Sequence, residues 1–368
     1  MAGESTSPLA EASAGSSDAM MQAVADLHRA FFTGLVLAVV ARRGPRTAAE
    51  LVFAVFRRQH HERFLPGLRK LGLEGLPHAV AAAQYHYLSN RIGGVSVEYV
   101  RESDRKAWIR YAPPRWIWHG TAVCAVPGEV SRAMLLGWHA QNGVTLGNRR
   151  LGFVCTKQTA DGDPGLEGYY LEHDRDLAPE ERLRFARHEE APDFDPAAAP
   201  WVDAASWPAE RLRKAHRNYA MEYVRTAIPA AIGLFGAADA THLVGLAGRL
   251  VGMQFYGEVA ARAGTSGASA ADFAAWMAAV ARAQGDAVAS ADAAAAAPGE
   301  ARFAQSTWAL MRGPPDLHEA AFGCWNALWE GALAAHNRRL ELVPVRRLDL
   351  GDGAFEWRIR PRRAVVTP

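Results

Sequence analysis

His139 stands beside Trp138 and three positions before Asn142, where a helical pattern gives way to a hairpin. An imidazole at such a corner can serve as a base, and a neighbouring amide as a donor to developing negative charge. The alternative is a protonated histidine that complements the carbonyl end of its helix. A second group surrounds Pro113 and Pro114: Arg110, Tyr111, Arg115 and Trp116, followed by Trp118 and His119. An arginine fork between aromatic walls suits a planar carboxylate ligand, although stacked Trp and Arg also close many surfaces that bind nothing. Gln254 and Glu258 lie one helical turn apart in the apolar run LVGMQFYGEVA. Glu258 is therefore either a buried carboxylate with a shifted pKa or a group on a solvated face. Two more polar sets, Tyr219/Glu222/Tyr223 and Tyr85/His86/Tyr87/Asn90, suit structural hydrogen bonding at least as well as catalysis.

The remaining reactive residues narrow the chemistry. Three cysteines (Cys124, Cys155 and Cys324) are too few and too scattered for a disulfide framework, and no CxxC pair suggests zinc or redox work. Cys124 and Cys324 read as core fillers, while Cys155, beside Thr156 and Lys157, has the better setting for a lowered pKa. His61–Glu62 and His318–Glu319 lack the second histidine of a zinc helix, and adjacent His60 and His61 diverge on a helix. Phosphate loops, dinucleotide fingerprints and serine nucleophile elbows are missing from the sequence. No metal and no cofactor is expected. With 41 Lys+Arg against 39 Asp+Glu, net charge +2, the chain carries no nucleic-acid footprint.

The elements that must position these residues come in a repeated order. Helical spacing covers 20–41, 48–64 and 77–88; alternation then marks VSVEYV and AWIRY as a hairpin. A helix through Met134, Leu135 and Trp138 leads to LGFVCTKQT, a turn at Asp161 and Gly162, and LEGYYLEHD. The later half runs through helices at 211–228, 238–262, 270–284 and 317–336, then RLELVPV and AFEWRIR around Gly351, Asp352 and Gly353. Paired landmarks accompany the order: Trp108 and Trp308, each before two prolines; Cys124 and Cys324; His139 with Asn142 and His336 with Asn337; His28–Arg29 and His216–Arg217. The expectation is a helix-rich α+β protein of two divergent copies of a small domain, about 190 to 200 residues apart, helices packed on an antiparallel sheet with pseudo-two-fold symmetry. The boundaries read as a disordered tail (1–19), a first repeat (20–176), a Pro/Ala-rich linker (177–208) and a second repeat (209–363).

The apolar run at 31–41 is shorter than the about 20 residues that span a bilayer. With no export signal, the expected location is cytoplasmic and the partner a small molecule, with neither nucleic acid nor membrane. A homo-oligomer is compatible with this reading.

The stretch FGCWNALWEGALAAHNRRLELVPVRRLDLGDGAFEWRIRP (322–361) resembles the C-terminal part of the L-2-amino-thiazoline-4-carboxylic acid hydrolase-like family and of the related 4-vinyl-reductase-type small-molecule-binding domains. Cys324–Trp325, Gly331, Gly351–Asp352 and Glu356–Trp357 carry the resemblance, which covers about the last sixty residues well and the preceding helices loosely. Ala354 and Phe355 stand where the family often has a turn cysteine, so a metal site of the sensor branch is not expected. The resemblance implies a ligand pocket between helices and sheet, and a hydrolase acting on a C–N or C=N bond of a compact, carboxylate-bearing amide or heterocycle. In that reading His139, Asn142 and Glu258 are catalytic, and Arg110, Arg115, Trp116, Tyr111 and Gln254 bind substrate. The alternative is a non-catalytic binding or sensing protein.

Overall fold

A computed structural model describes residues 8–112, 124–289, 297–313 and 317–362, with side chains from Ser17 onward. The chain is helix-rich α+β. It forms two compact units, an early one of Val36–Tyr219 and a late one of Ala220–Pro368 together with the chain up to Leu35. The division falls inside two helices, α1 (Pro8–Arg43) and α6 (Ala209–Phe235), rather than in the 177–208 segment. Helix α1 takes in much of the stretch expected to be a disordered tail. Its apolar run is also longer than 31–41: Ser17–Arg43 is long and apolar enough to cross a membrane, and 72% of an 18-residue apolar stretch within it is buried in the fold. Val24, Phe31, Phe32, Val36 and Val39 are fully covered, as in a core helix.

In the early unit α2 (Pro45–Lys70) and α3 (His78–Ile92) precede the hairpin β1 (Val97–Arg101) and β2 (Lys106–Tyr111). Then follow α4 (Gly128–Gly137), α5 (Asn142–Thr145), β3 (Leu151–Lys157), β4 (Leu166–Glu172) and β5 (Leu183–Phe185). The sheet order is β1-β2-β4-β3-β5, antiparallel except for the β3/β5 edge. The segment expected to be a linker is thus part of the unit. Beyond β5 it packs Ala186 and Ala191 on the cluster of Trp108, Val154 and Tyr169 that covers one sheet face. That face would otherwise expose large aromatics to water, so the covering segment is held by burial without needing periodicity.

The late unit holds α7 (Ala237–Ala263), α8 (Ala270–Gln284), β6 (Val288–Ala289), β7 (Ala301–Gln305), α9 (Ala320–His336), β8 (Leu340–Arg346) and β9 (Phe355–Pro361). Its sheet order is β6-β7-β9-β8, antiparallel throughout. Small residues let α7 and α9 touch backbone to backbone: a Cβ on Gly252 would run into Leu328 O, and one on Gly331 into Arg249 O. Ser269 starts α8 with a capping box to Asp272, and Gly285, at φ 91°, ends it.

Several expected landmarks occupy unlike places. Trp108 lies within β2, whereas Trp308 follows the end of β7. Cys124 is exposed ahead of α4, whereas Cys324 is buried inside α9. Pro113, Pro114, Pro314 and Pro315 lie outside the described residues.

Candidate functional site

Five polar side chains of the early unit converge in its interior. His86 comes from α3, Tyr111 from the end of β2, His139 from a 3-10 turn (His139–Gln141) after α4, Asn142 from the start of α5 and Tyr170 from β4. None is more than 4% exposed. Local structure explains the placement. Helix α4 stops at Gly137, which lies so close to α2 that a Cβ there would stand 2.8 Å from Phe53 O. The 3-10 turn that follows has about three residues per turn, which puts His139 and Asn142 on one side. Alternation along β2 and β4 brings Tyr111 and Tyr170 to the same sheet face, while Trp108 and Tyr169 turn to the other.

The hydrogen bonds run in one direction. Asn142 Nδ2 donates to Tyr170 Oη at 2.8 Å and lies 3.1 Å from His86 Nε2. Tyr170 Oη is 2.8 Å from His139 Nδ1, and Tyr111 Oη is 3.1 Å from His86 Nδ1. If the two amide hydrogens go to Tyr170 and His86, then His86 carries its own hydrogen on Nδ1 and donates it to Tyr111. Tyr170 in turn donates to His139 Nδ1, which places the His139 hydrogen on Nε2. The imidazoles of His86 and His139 stack at 4.2 Å, 15° from parallel.

The setting of His60 agrees with this amide orientation. Its Nδ1 is 3.0 Å from the Arg57 guanidinium, a group that only donates, so neutral His60 holds its hydrogen on Nε2. Asn142 is close enough to favour the charged form of His60, which calls for the amide oxygen rather than the nitrogen on that side. Yet neither His60 Nε2 nor Asn142 Oδ1 completes a hydrogen bond of good geometry, so the contact is a polar approach and not a made bond. Burial foremost, then the Arg57 charge, lowers His60 from 6.5 to about 3. Burial, with Tyr111 and Tyr85 adding to it, pushes the Tyr170 phenol well above its usual value, so it remains a donor. Aromatic rings wall the group: Phe153 lies 4.6 Å from His139, Phe64 4.9 Å from His60, and Trp138 5.7 Å edge-on to His60.

Of the residues expected from sequence to form a site, His139, Asn142 and Tyr111 are brought together. Arg110 is not: one position before Tyr111, it points to the opposite sheet face and pairs with Glu98 across the β1–β2 register. Gln254 and Glu258 are exposed on α7 in the late unit, and Glu258 pairs with Arg262 one turn on. Of the two readings of Glu258, a buried carboxylate or a group on a solvated face, the second holds: it is a surface ion pair, because its turn of α7 faces solvent. Arg115 and Trp116 lie outside the described residues. Cys155 does not have the lowered pKa its neighbours suggested: burial above all pushes its thiol up to about 12, and that of Cys324 up to about 11. Neither is a nucleophile at neutral pH.

Tyr170 and His60 were missed as site residues. The sequence offered one usable signal, the pair Tyr169–Tyr170 in a strand, one of which must face the helices. Among the described residues no group of three His, Cys, Asp or Glu side chains is arranged to hold a metal ion. No family model matches this chain, and neither a curated protein nor a solved structure matches it.

Proposed function

We propose that this chain is a small-molecule hydrolase acting on a C–N or C=N bond of a compact, carboxylate-bearing amide or heterocycle, as the resemblance at 322–361 implies. The observation that carries the reading is the convergence of His86, Tyr111, His139, Asn142 and Tyr170 in a buried, aromatic-walled interior. With its hydrogen on Nε2, His139 acts as an electrophile rather than a base: a neutral imidazole N–H that polarises the carbonyl or imine under attack. Asn142 keeps that tautomer in place through Tyr170.

The same proposal takes the two units as divergent copies, of which the early one keeps the chemistry. Matching hydrogen bonds support this. Gln158 N donates to Asp163 Oδ2 across the β3–β4 turn, and Arg347 N, 189 positions on, donates to Asp352 Oδ2 across the β8–β9 turn. Glycines at φ 92° and 97° (Gly162 and Gly351) sit in those turns. Both hairpins shift register at the same relative point, Cys155/Lys157 and Pro344/Arg346. Helix junctions agree as well: Gly44 and Gly236 separate consecutive helices with φ 87° and 78°, and Gly72 and Gly264 end them with φ 70° and 67°. In this alignment Tyr111 and Tyr170 correspond to Gln305 and Ile359, so the late unit keeps neither tyrosine of the set.

Catalysis is tested by incubating the protein with 2-amino-thiazoline-4-carboxylate and a panel of related cyclic and open-chain amides, with mass spectrometry of the products. Conversion that falls sharply in His139→Gln and Tyr170→Phe, with circular dichroism unchanged, is the expected result. A second reading, ligand binding without conversion, is favoured by the way hydrogen bonds already tie the five side chains to one another. Thermal stabilisation by a compound that is recovered intact supports that reading and sinks the first.

A further inference from the structure

Of the described side chains of the late unit whose buried polar atoms meet no hydrogen-bond partner, six are uncharged and lie between positions 276 and 329: Trp276, Gln284, Gln305, Trp308, Trp325 and Trp329. Four offer an indole N–H, Gln284 both atoms of its amide, and Gln305 its carbonyl oxygen. The tryptophans are at most 9% exposed and both glutamines are at 0%. Covered polar atoms are nearly always paired, because an unpaired one loses its water bonds for nothing. A cluster of this size in one place calls for a reason.

The four tryptophans form one chain of rings, and the two glutamines lie near one turn of the chain. Ring centroids link Trp308 to Trp325 at 5.0 Å, Trp325 to Trp329 at 5.7 Å and Trp329 to Trp276 at 5.7 Å. Helix α8 carries Trp276, Val280 and Gln284 at four-residue spacing, hence on one face. Gln305 donates through Nε2 to Thr307 O, and Thr307 donates to Asp286, two residues past Gln284, so both glutamines are anchored at the same turn. The edge-on contacts of Trp276 and Trp325 with Trp329 supply an aromatic face, a second-order interaction. The Gln284 amide has no hydrogen bond at all.

These six groups are uncharged, and among them donors outnumber acceptors. A ligand that fits them is planar enough to lie against indole rings, rich in carbonyl oxygen, and able to offer at least one N–H. A lactam or ureide edge places C=O beside N–H, the mirror of a carboxamide, so Gln284 can pair with it through two parallel hydrogen bonds. We propose that the interior of the late unit binds a neutral, planar heterocycle with a lactam or ureide edge, recognised by Gln284 and Gln305 and walled by Trp276, Trp308, Trp325 and Trp329. The site is independent of the reading given for His139.

The full chain is titrated with uracil, hydantoin and 2-pyrrolidone, following tryptophan emission and heat of binding, with 1,3-dimethyluracil as the control that has lost its N–H. Saturable binding of at least one lactam is expected, about tenfold or more tighter than the dimethylated control. Gln284→Leu should abolish it, and Tyr170→Phe in the early unit should leave it intact. Because Gln284→Leu removes an unpaired buried amide, its melting temperature without ligand should equal or exceed that of the parent, which separates lost binding from lost folding. The proposal is overturned if no lactam outbinds the control, or if Gln284→Leu binds as well as the parent. A Gln284→Leu protein that melts well below the parent would also overturn it, since the amide would then have a partner within the fold.

Discussion

Asn142 is the hinge of the early unit's network, because its two amide hydrogens reach Tyr170 and His86 at once. Asn142→Leu leaves both acceptors buried and unserved, and should destabilise the protein by about 2–4 kcal/mol in urea denaturation, far more than loss of a surface amide. His60 has a different signature. Its pKa falls from 6.5 to about 3 on folding, so between those values the unfolded chain binds a proton that the folded chain refuses. Stability from this residue is complete above pH 6.5 and is lost as pH drops toward 3, at about 1.4 kcal/mol per pH unit. His60→Leu should therefore flatten the acid limb of stability relative to the parent between pH 6.5 and 4; matching slopes would mean that His60 is protonated in the fold. The spacing of His139 and Asn142 was legible in the sequence, since a 3-10 or helical turn puts positions three apart together. Tyr170 was not, because strand alternation leaves two choices of face until pairing partners fix one.

At the scale of elements, the backbone contact of α7 with α9 rests on glycine. Gly331→Ala or Gly252→Ala should cost about 1–3 kcal/mol or more, since the added Cβ meets carbonyl oxygen that cannot move without displacing a helix. Gly257→Ala on the exposed side of α7, where a Cβ meets nothing within 4 Å, should instead stabilise by ~0.5–1 kcal/mol through helix propensity. Opposite shifts of melting temperature are the check, and equal effects would show that α7 and α9 do not pack as closely as described. Helices and the hairpins β1–β2, β3–β4 and β8–β9 were readable from period and turn residues. The strands β5, β6 and β7 were not. Two are three residues long or shorter, and β7, ARFAQ, follows an Ala-rich stretch whose composition masks any alternation.

For the whole molecule, the unit boundaries inside α1 and α6 have a consequence for cutting the chain. A split at position 208 leaves Ala209–Tyr219 of α6, which belongs to the early unit, on the later fragment, and strands the start of α1 on the earlier one. Each fragment alone should be poorly soluble or partly unfolded, while co-expression should restore a complex with native-like circular dichroism; two independently stable fragments would refute this. The sequence by itself determined the helix-rich α+β class, the order of most elements and the turns at Gly162 and Gly351, because these depend on local period and backbone permissiveness. Only the tertiary structure decided which side chains meet. Arg110 was turned away from Tyr111 by one step of a strand, Glu258 was left on the wet side of α7, and His60 was brought to Asn142, because burial and register are set by pairing between segments far apart in the chain.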